Sequence, residues 1–189
     1  MLSPRGFDAI ANIVFHGTFY VTHSVGRRWI EAGLKGNIIS ILATWVWTGS
    51  PYVVPSAMSK SAINAMTKSL AVEWGPYNIR VNAIAPGPFP TEGAWARLSP
   101  KGDLDNDSSY SAIPLGRVGE MSELQNLASF LMADGCDYLT GQTIAIDGAQ
   151  YITGGGTFSG LSKLKDSDWE EIKSMIKSTN EKDKANRNT

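Results

Sequence analysis

Two side chains that can bind a polar ligand together stand four residues apart, Ser56 and Lys60. In a helix this spacing places them on one face, one turn apart. A hydroxyl that donates and accepts hydrogen bonds then lies beside an amine that donates them. The pair is a plausible catalytic or binding site.

The elements around this pair would place it at the edge of a sheet. The apolar, β-branched run Asn37–Thr44 predicts a buried strand, and the Gly-, Ser- and Pro-containing segment Trp45–Val54 predicts a loop. Pro55 is well placed as the first residue of a helix that runs to about Trp74, where Gly75 and Pro76 follow. Active sites of open α/β sheets lie at the carboxyl ends of the strands, where this order puts Ser56 and Lys60.

Other segments predict the rest of an α/β domain. Apolar runs predict strands at Arg80–Ala85 and Thr143–Ile146, and helical spacing predicts helices over Ser3–Ala32 and Ser122–Ala133. We expect three parallel strands in the order of the chain. We also expect an ion pair between Glu73 and Arg80 across the turn that joins the central helix to the second strand.

The central helix has two predicted faces. A core-facing stripe is predicted by Ile63, Met66, Leu70 and Trp74. The small residues opposite them, among them Ser59 and Ala62, predict a face for a second subunit.

Composition indicates an ordinary globular chain of 189 residues, 42% of them hydrophobic and 19% charged. The net charge of −1 implies no attraction to nucleic acid or to a membrane surface. The single cysteine, Cys136, excludes an internal disulfide framework and a cysteine-based zinc site, and no other metal-ligand cluster is evident. No signal peptide, targeting tail or membrane-spanning run is evident, so we expect a cytoplasmic protein.

The amino-acid sequences of several segments resemble those of a known family. SAMSKSA around Lys60, after a strand and loop, is similar to the catalytic segment of short-chain dehydrogenases/reductases. VVPSA, KSLAVEWG and PGPFPT resemble in particular the 2,4-dienoyl-CoA reductases. Most of the family carries Tyr four residues before the Lys; here that residue is Ser56, as in this subfamily. The subfamily's own Tyr, fifteen residues before the Lys, falls on Trp45.

The resemblance implies NADPH-dependent reduction of an unsaturated fatty acyl-CoA during fatty acid β-oxidation. It assigns Lys60 to the nicotinamide ribose and to electrostatic support of the reaction, with Ser56 beside it. The Trp45 indole N–H can donate a hydrogen bond but cannot ionise. Tyr52, eight residues before Lys60, either substitutes for the missing tyrosine or forms a pocket wall.

Further positions follow from the same resemblance. Ser3 and Arg97 match substrate-side residues, although a solvated loop arginine explains Arg97 equally well. The turn after the second predicted strand matches the segment that lines the nicotinamide end of the cofactor; its residues are Pro86, Gly87, Pro88, Phe89 and Thr91.

One part of the family's fold has no counterpart in this sequence. Gly154–Gly156 follows the last predicted strand, so it is not the Gly-rich turn after a first strand that holds a pyrophosphate. We therefore expect the second half only of a Rossmann-like, doubly wound parallel sheet over residues 1–160. An amphipathic helix over 161–177 and a disordered polar tail over 178–189 would follow it.

Three functions remain open at this point. The chain is a 2,4-dienoyl-CoA reductase, a short-chain reductase acting on another carbonyl or enoyl substrate, or a non-catalytic subunit. The missing Gly-rich turn makes activity of this chain alone doubtful and favours the third function, as does Trp45. The first predicted strand would have an unpaired edge, so we expect a homo-oligomer, as in the family's tetramers, or assembly with a complementary half.

Overall fold

The fold is built on three parallel strands in the order of the chain. In the computed structural model, which describes residues 3–91, 112–154 and 158–187, these are β1 (Gly36–Ile41), β2 (Ile79–Pro86) and β3 (Thr143–Ile146). β2 lies in the middle and pairs with β1 from Gly36 opposite Ile79 and with β3 from Ala83 opposite Thr143. The α/β class, the strand order and the parallel orientation are confirmed.

Helices cover both faces of this sheet. Alternate residues of β2, among them Val81, Ala83 and Ala85, pack against α4 (Val54–Trp74) through Ile63 and Ala71. The intervening residues face the other way, because successive side chains of a strand alternate between the faces. On that side lies α5 (Met121–Met132), whose Leu131 is fully buried.

The first helical segment is nearly continuous over the length that the sequence predicts. It comprises α1 (Pro4–Ala11), a π-helical turn (Asn12–His16) and α2 (Gly17–Ala32). Ser3 caps its start by accepting a hydrogen bond from the Gly6 N–H, and Gly33 ends it in the left-handed conformation. The π turn is the one departure from the prediction, and the Gly17 N–H closes it on the carbonyl of Asn12.

The segment after β1 is not all loop. Trp45–Thr48 forms the one-turn helix α3, which Gly49 ends with a positive φ.

Ser59 also departs from the prediction, because it lies on the buried face of α4 rather than on the outer one. Its hydroxyl donates to the carbonyl of Pro55 one turn earlier, so the polar group is satisfied inside the core.

The predicted ion pair between Glu73 and Arg80 is wrong. The Arg80 guanidinium is buried on the α5 side of the sheet and lies 3.7 Å from the carboxylate of Asp137. It also donates to the carbonyls of Leu131 and Leu139 at 2.8 and 3.1 Å. Arg80 points to this side because its neighbours in β2 are the apolar residues of the α4 face.

The chain divides into two compact units, residues 1–151 and 152–189. The short helix α6 (Gln150–Thr153) crosses the boundary, and the second unit continues with a 3₁₀ turn (Ser159–Lys163) and helix α7 (Asp166–Arg187). Asp168 caps α7 by accepting the N–H of Lys165. The helix includes residues 178–187, which belong to the tail for which the polar composition predicts disorder. The domain limits of the sequence analysis stay predictions.

None of the described helices is both long enough and apolar enough to cross a membrane.

The contact between α2 and α4 gives a test of the packing. A Cβ added at Gly26 would lie 2.3 Å from the ring of Trp74, which is itself buried. Gly26→Ala should therefore lower the free energy of unfolding by about 1–3 kcal/mol, as overpacking does. Gly17→Ala in the same helix is the matched control, since its Cβ would find its nearest neighbour at 3.5 Å. It should raise that free energy by about 0.5–1 kcal/mol through helix propensity. Urea denaturation measures both, and equal effects would contradict the packing described.

Candidate active site

The carboxyl ends of the three strands meet at one edge of the sheet, because the strands are parallel. Helix α3 follows β1, the turn from Pro86 to Thr91 follows β2, and the segment from Asp147 to Tyr151 follows β3. This edge, called the carboxyl edge below, is where an open α/β sheet binds its ligands.

Lys60 reaches the carboxyl edge from the second turn of α4. Its ammonium donates a hydrogen bond to the carbonyl of Ile41, the last residue of β1. The next residue, Leu42, donates its N–H to Ile84 of β2, so the backbone groups of Ile41 point away from β2. Lys60 therefore caps the outer side of β1, where no strand is paired among the described residues.

Burial lowers the pKa of the Lys60 ammonium below its ordinary value, because removal from water disfavours the charged form. Ser56 lies one turn earlier on α4 and is half-buried. The spacing thus places hydroxyl and amine as predicted, on one helix that begins at the carboxyl edge. Their catalytic roles stay predictions.

The two aromatic candidates before α4 lie in different surroundings. Trp45 is the first residue of α3 and is half-buried near the end of β1. Tyr52 is fully exposed and has a φ of 65°. The structure therefore keeps Trp45 at the carboxyl edge, whereas the Tyr52 side chain projects into solvent.

The turn after β2 is held tightly against its neighbours. The Gly87 N–H donates to the carbonyl of Ile146 at 3.0 Å, and a Cβ at Gly87 would lie 2.6 Å from that of Asp147. Only glycine allows this approach. The Phe89 ring lies over Gly119, where a Cβ would come within 2.3 Å of it.

A small cavity of about 70 Å³ lies beside this turn, lined by Pro88, Phe89 and Ile146 among others. It is too small for a cofactor, whose pockets are on the order of 300–1,000 Å³. Thr91 ends the described part of the turn. Cofactor binding by Pro86, Gly87, Pro88, Phe89 and Thr91 stays a prediction.

The structure describes one of the two predicted substrate-side residues. The Ser3 hydroxyl is used as the cap of α1, where it accepts the Gly6 N–H at 3.1 Å. Arg97 lies outside the described residues. In the part of the chain that is described, no three His, Cys, Asp or Glu side chains come together to hold a metal ion.

Two aromatic residues at the carboxyl edge were missed by the sequence analysis. The ring of Trp47, on α3, stacks on that of Tyr151 with centroids 4.7 Å apart and planes at 26°. Asp147 fixes the backbone beneath Tyr151, since its carboxylate accepts the N–H groups of Ala149 and Tyr151 at 3.0 and 2.8 Å. The sequence places both residues shortly after predicted strands, but no local pattern pairs residues so far apart.

The residues fit one end of a nicotinamide dinucleotide. A desolvated ammonium at the end of β1 and a close turn at the end of β2 can hold the ribose and the nicotinamide ring. A Gly-rich turn between a strand and a helix, the usual cradle of the pyrophosphate, does not occur in the sequence of this chain.

Comparison with known proteins finds one matching family model and several related sequences. Residues 1–149 match the family model described as enoyl-(acyl carrier protein) reductase. An uncharacterised oxidoreductase of Caenorhabditis elegans is 40% identical over 187 residues, covering 97% of this chain and 59% of the relative. A probable (3E)-enoyl-CoA-producing 2,4-dienoyl-CoA reductase of the same organism is 39% identical over 189 residues, covering 98% and 61%. The chain thus spans about 60% of these relatives.

Solved structures agree with the fold. A short-chain dehydrogenase from Bacillus anthracis superposes with a TM-score of 0.69 at 44% identity, covering 79% of this chain and 57% of that one. A gluconate 5-dehydrogenase from Burkholderia cenocepacia, in complex with NADP and tartrate, gives a TM-score of 0.72 at 32% identity over the same shares.

The burial of Lys60 predicts a pH dependence of stability. With a lowered pKa, the folded chain binds fewer protons than the unfolded chain between that pKa and the ordinary value of 10.5. The free energy of unfolding should therefore rise with pH across this interval. Lys60→Met, which keeps the aliphatic stem, should lose that part of the rise. Lys68→Met, at an exposed position on the same helix, should keep it. Urea denaturation at a series of pH values up to 10.5 tests this; identical profiles for both variants would refute the desolvation of Lys60.

Proposed function

Since the chain belongs to the short-chain dehydrogenase/reductase family, we propose that it takes part in the NADPH-dependent reduction of a 2,4-dienoyl-CoA thioester, a reaction of fatty acid β-oxidation. The observation that carries the proposal is the desolvated ammonium of Lys60 at the end of β1. Its place beside Ser56, and the 39% identity to a probable 2,4-dienoyl-CoA reductase, support this substrate over others.

The chain's own residues would orient the reactants. When bound, NADPH supplies the hydride, which adds to the dienoyl chain; protonation from solvent then completes the product. Lys60 would hold the nicotinamide ribose through its ammonium, which donates to the carbonyl of Ile41 in the described part of the chain. Phe89 and the tight Gly87 turn would form the wall against the nicotinamide ring.

Charge develops on the thioester oxygen as the hydride adds. Hydrogen-bond donors aimed at that oxygen, in a site shielded from water, stabilise the transition state. The Trp45 indole N–H and the Ser56 hydroxyl are donors at the carboxyl edge, and the positive charge of Lys60 favours an anion there. Arg97 and Ser3 remain proposed substrate-side residues.

A non-catalytic role in an assembly is the second candidate. Trp45 favours this candidate, because an indole cannot ionise. Turnover by the purified chain, or its absence, separates the two candidates. For either candidate function, we propose a cytoplasmic protein that binds neither nucleic acid nor a membrane.

The proposed assembly rests on two exposed features. The outer edge of β1 has no paired strand among the described residues, and unpaired edges recruit partners. Large apolar side chains are exposed on the first helical segment and on α4; they include Ile13, Val21, Met58 and Val72. We propose that these surfaces join copies of the chain into a homo-oligomer, a tetramer as in the family, or bind a complementary half.

Lys60→Met tests the proposed activity. With NADPH and 2,4-hexadienoyl-CoA, we expect kcat/KM to fall about 100-fold or more, because a charge that acts on the transition state is lost. Lys68→Met, two turns further along α4 and exposed, is the control and should match the wild type. Oxidation of NADPH, followed by its absorbance, is the measurement. A wild-type chain that folds but turns over no dienoyl-CoA would favour the non-catalytic role.

The assembly can be tested separately. At low micromolar concentration, about 1–5 μM, sedimentation velocity should show oligomers rather than a compact monomer. Val21→Lys, on the exposed face of α2, should weaken association by placing a charge in the contact. Met175→Lys, an equally exposed apolar position in the second unit, should leave it unchanged. A cooperatively melting wild-type monomer would exclude the proposed contacts.

A further inference from the structure

The proposed reaction calls for a phenol that the sequence does not provide at the expected position. The family's tyrosine is replaced by Trp45, which donates a hydrogen bond but cannot ionise. Tyr52 does not fill the gap, because its side chain is fully exposed. Of the other described tyrosines, Tyr20 lies on the exposed side of α2, and Tyr77 and Tyr138 lie in the turns before β2 and β3.

Tyr151 is different, because it lies at the carboxyl edge and is held there from two sides. Its backbone N–H donates to the Asp147 carboxylate at 2.8 Å. Its ring is half-buried and stacks on Trp47, with 4.7 Å between the centroids. A ring fixed at both backbone and face points its hydroxyl in a restricted direction, which is what a catalytic donor requires.

The strand order shows which segments of the carboxyl edge the stack connects. Trp47 follows β1 and Tyr151 follows β3, and these strands are separated by β2. Neighbouring strands lie about 4.8 Å apart, so the ends of β1 and β3 are about 10 Å apart. The stack joins the segment that follows β1 to the segment that follows β3. Tyr151 therefore belongs to the same edge of the sheet as Lys60 and the Gly87 turn.

We propose that the Tyr151 hydroxyl donates a hydrogen bond to the thioester oxygen of the substrate, in place of the tyrosine that the family carries at the position of Trp45. Trp47 acts as a positioning residue that holds the ring by stacking. This inference rests on the proposed function, because it names a further residue of the same site.

The test uses the absorption of a bound conjugated thioester. The band of 2,4-hexadienoyl-CoA moves to longer wavelength when its carbonyl oxygen accepts a strong hydrogen bond, because excitation moves electron density toward that oxygen. Difference spectra of the full chain with this compound therefore report the donor directly, without turnover. Dissociation constants from the same titrations report binding, and circular dichroism confirms that each variant is folded.

Tyr151→Phe, which removes only the hydroxyl, should diminish the red shift, because one donor to the thioester oxygen is lost, and change the dissociation constant less than about tenfold. In turnover it should lower kcat about 100-fold, the usual effect of losing one oxyanion donor. Tyr138→Phe is the matched control, since that side chain is fully exposed in the turn before β3, and it should keep the shift.

The other outcomes are equally informative. A red shift that is undiminished in Tyr151→Phe, or one that is lost in Tyr52→Phe or in Tyr110→Phe, at a position outside the described residues, would overturn the assignment of Tyr151 and leave the proposed function standing. A folded wild-type chain that does not bind the thioester would overturn the proposed function, and with it this inference.

Discussion

The central position of β2 is the constraint on which the rest of the structure depends. Its residues Ala83, Ile84 and Ala85 are fully buried, because β1 and β3 cover its edges and helices cover its faces. Every other element is placed relative to this strand. Since both neighbours run parallel to it, the segments that follow all three strands converge at one edge. The candidate site is therefore a consequence of how β2 is buried.

A strand buried on both faces carries two polar side chains, and each is satisfied by the chain that leads into β3. Asn82 donates to the carbonyl of Leu139 at 2.8 Å and accepts the N–H of Gln142 at 3.0 Å. Arg80 binds the carbonyls of Leu131 and Leu139. Buried polar groups without partners would destabilise the fold, so these bonds fix the turn before β3 in one arrangement. The register of β3, and with it the position of Asp147 and Tyr151, follows from this network.

The sequence predicts well what depends on local pattern. The apolar runs of β2 and β3, the helix from Pro55 to Trp74 and the end of the first helical segment at Ala32 are all where pattern placed them. Contacts between distant segments were not predictable in the same way. Glu73 stands nearer to Arg80 in the chain than Asp137 does, yet alternation of side chains turns Arg80 toward Asp137. The stack of Trp47 on Tyr151 joins residues more than a hundred positions apart, and no local pattern encodes such a pair.

The same distinction explains how a site of this kind can lose a tyrosine and keep its lysine. A charge acts through a Coulomb interaction that weakens only gradually with distance, so an ammonium at the position of Lys60 would favour an anion over a wide part of the carboxyl edge. A hydrogen bond needs its donor within about 2.7–3.2 Å of the acceptor, so the position of a phenol is far more restricted. The lysine is held by the end of β1 through Ile41, independently of which residue stands at position 45. A donor anchored after β3, the role proposed for Tyr151 through its bond to Asp147, would therefore reach the same oxygen without any change in Lys60.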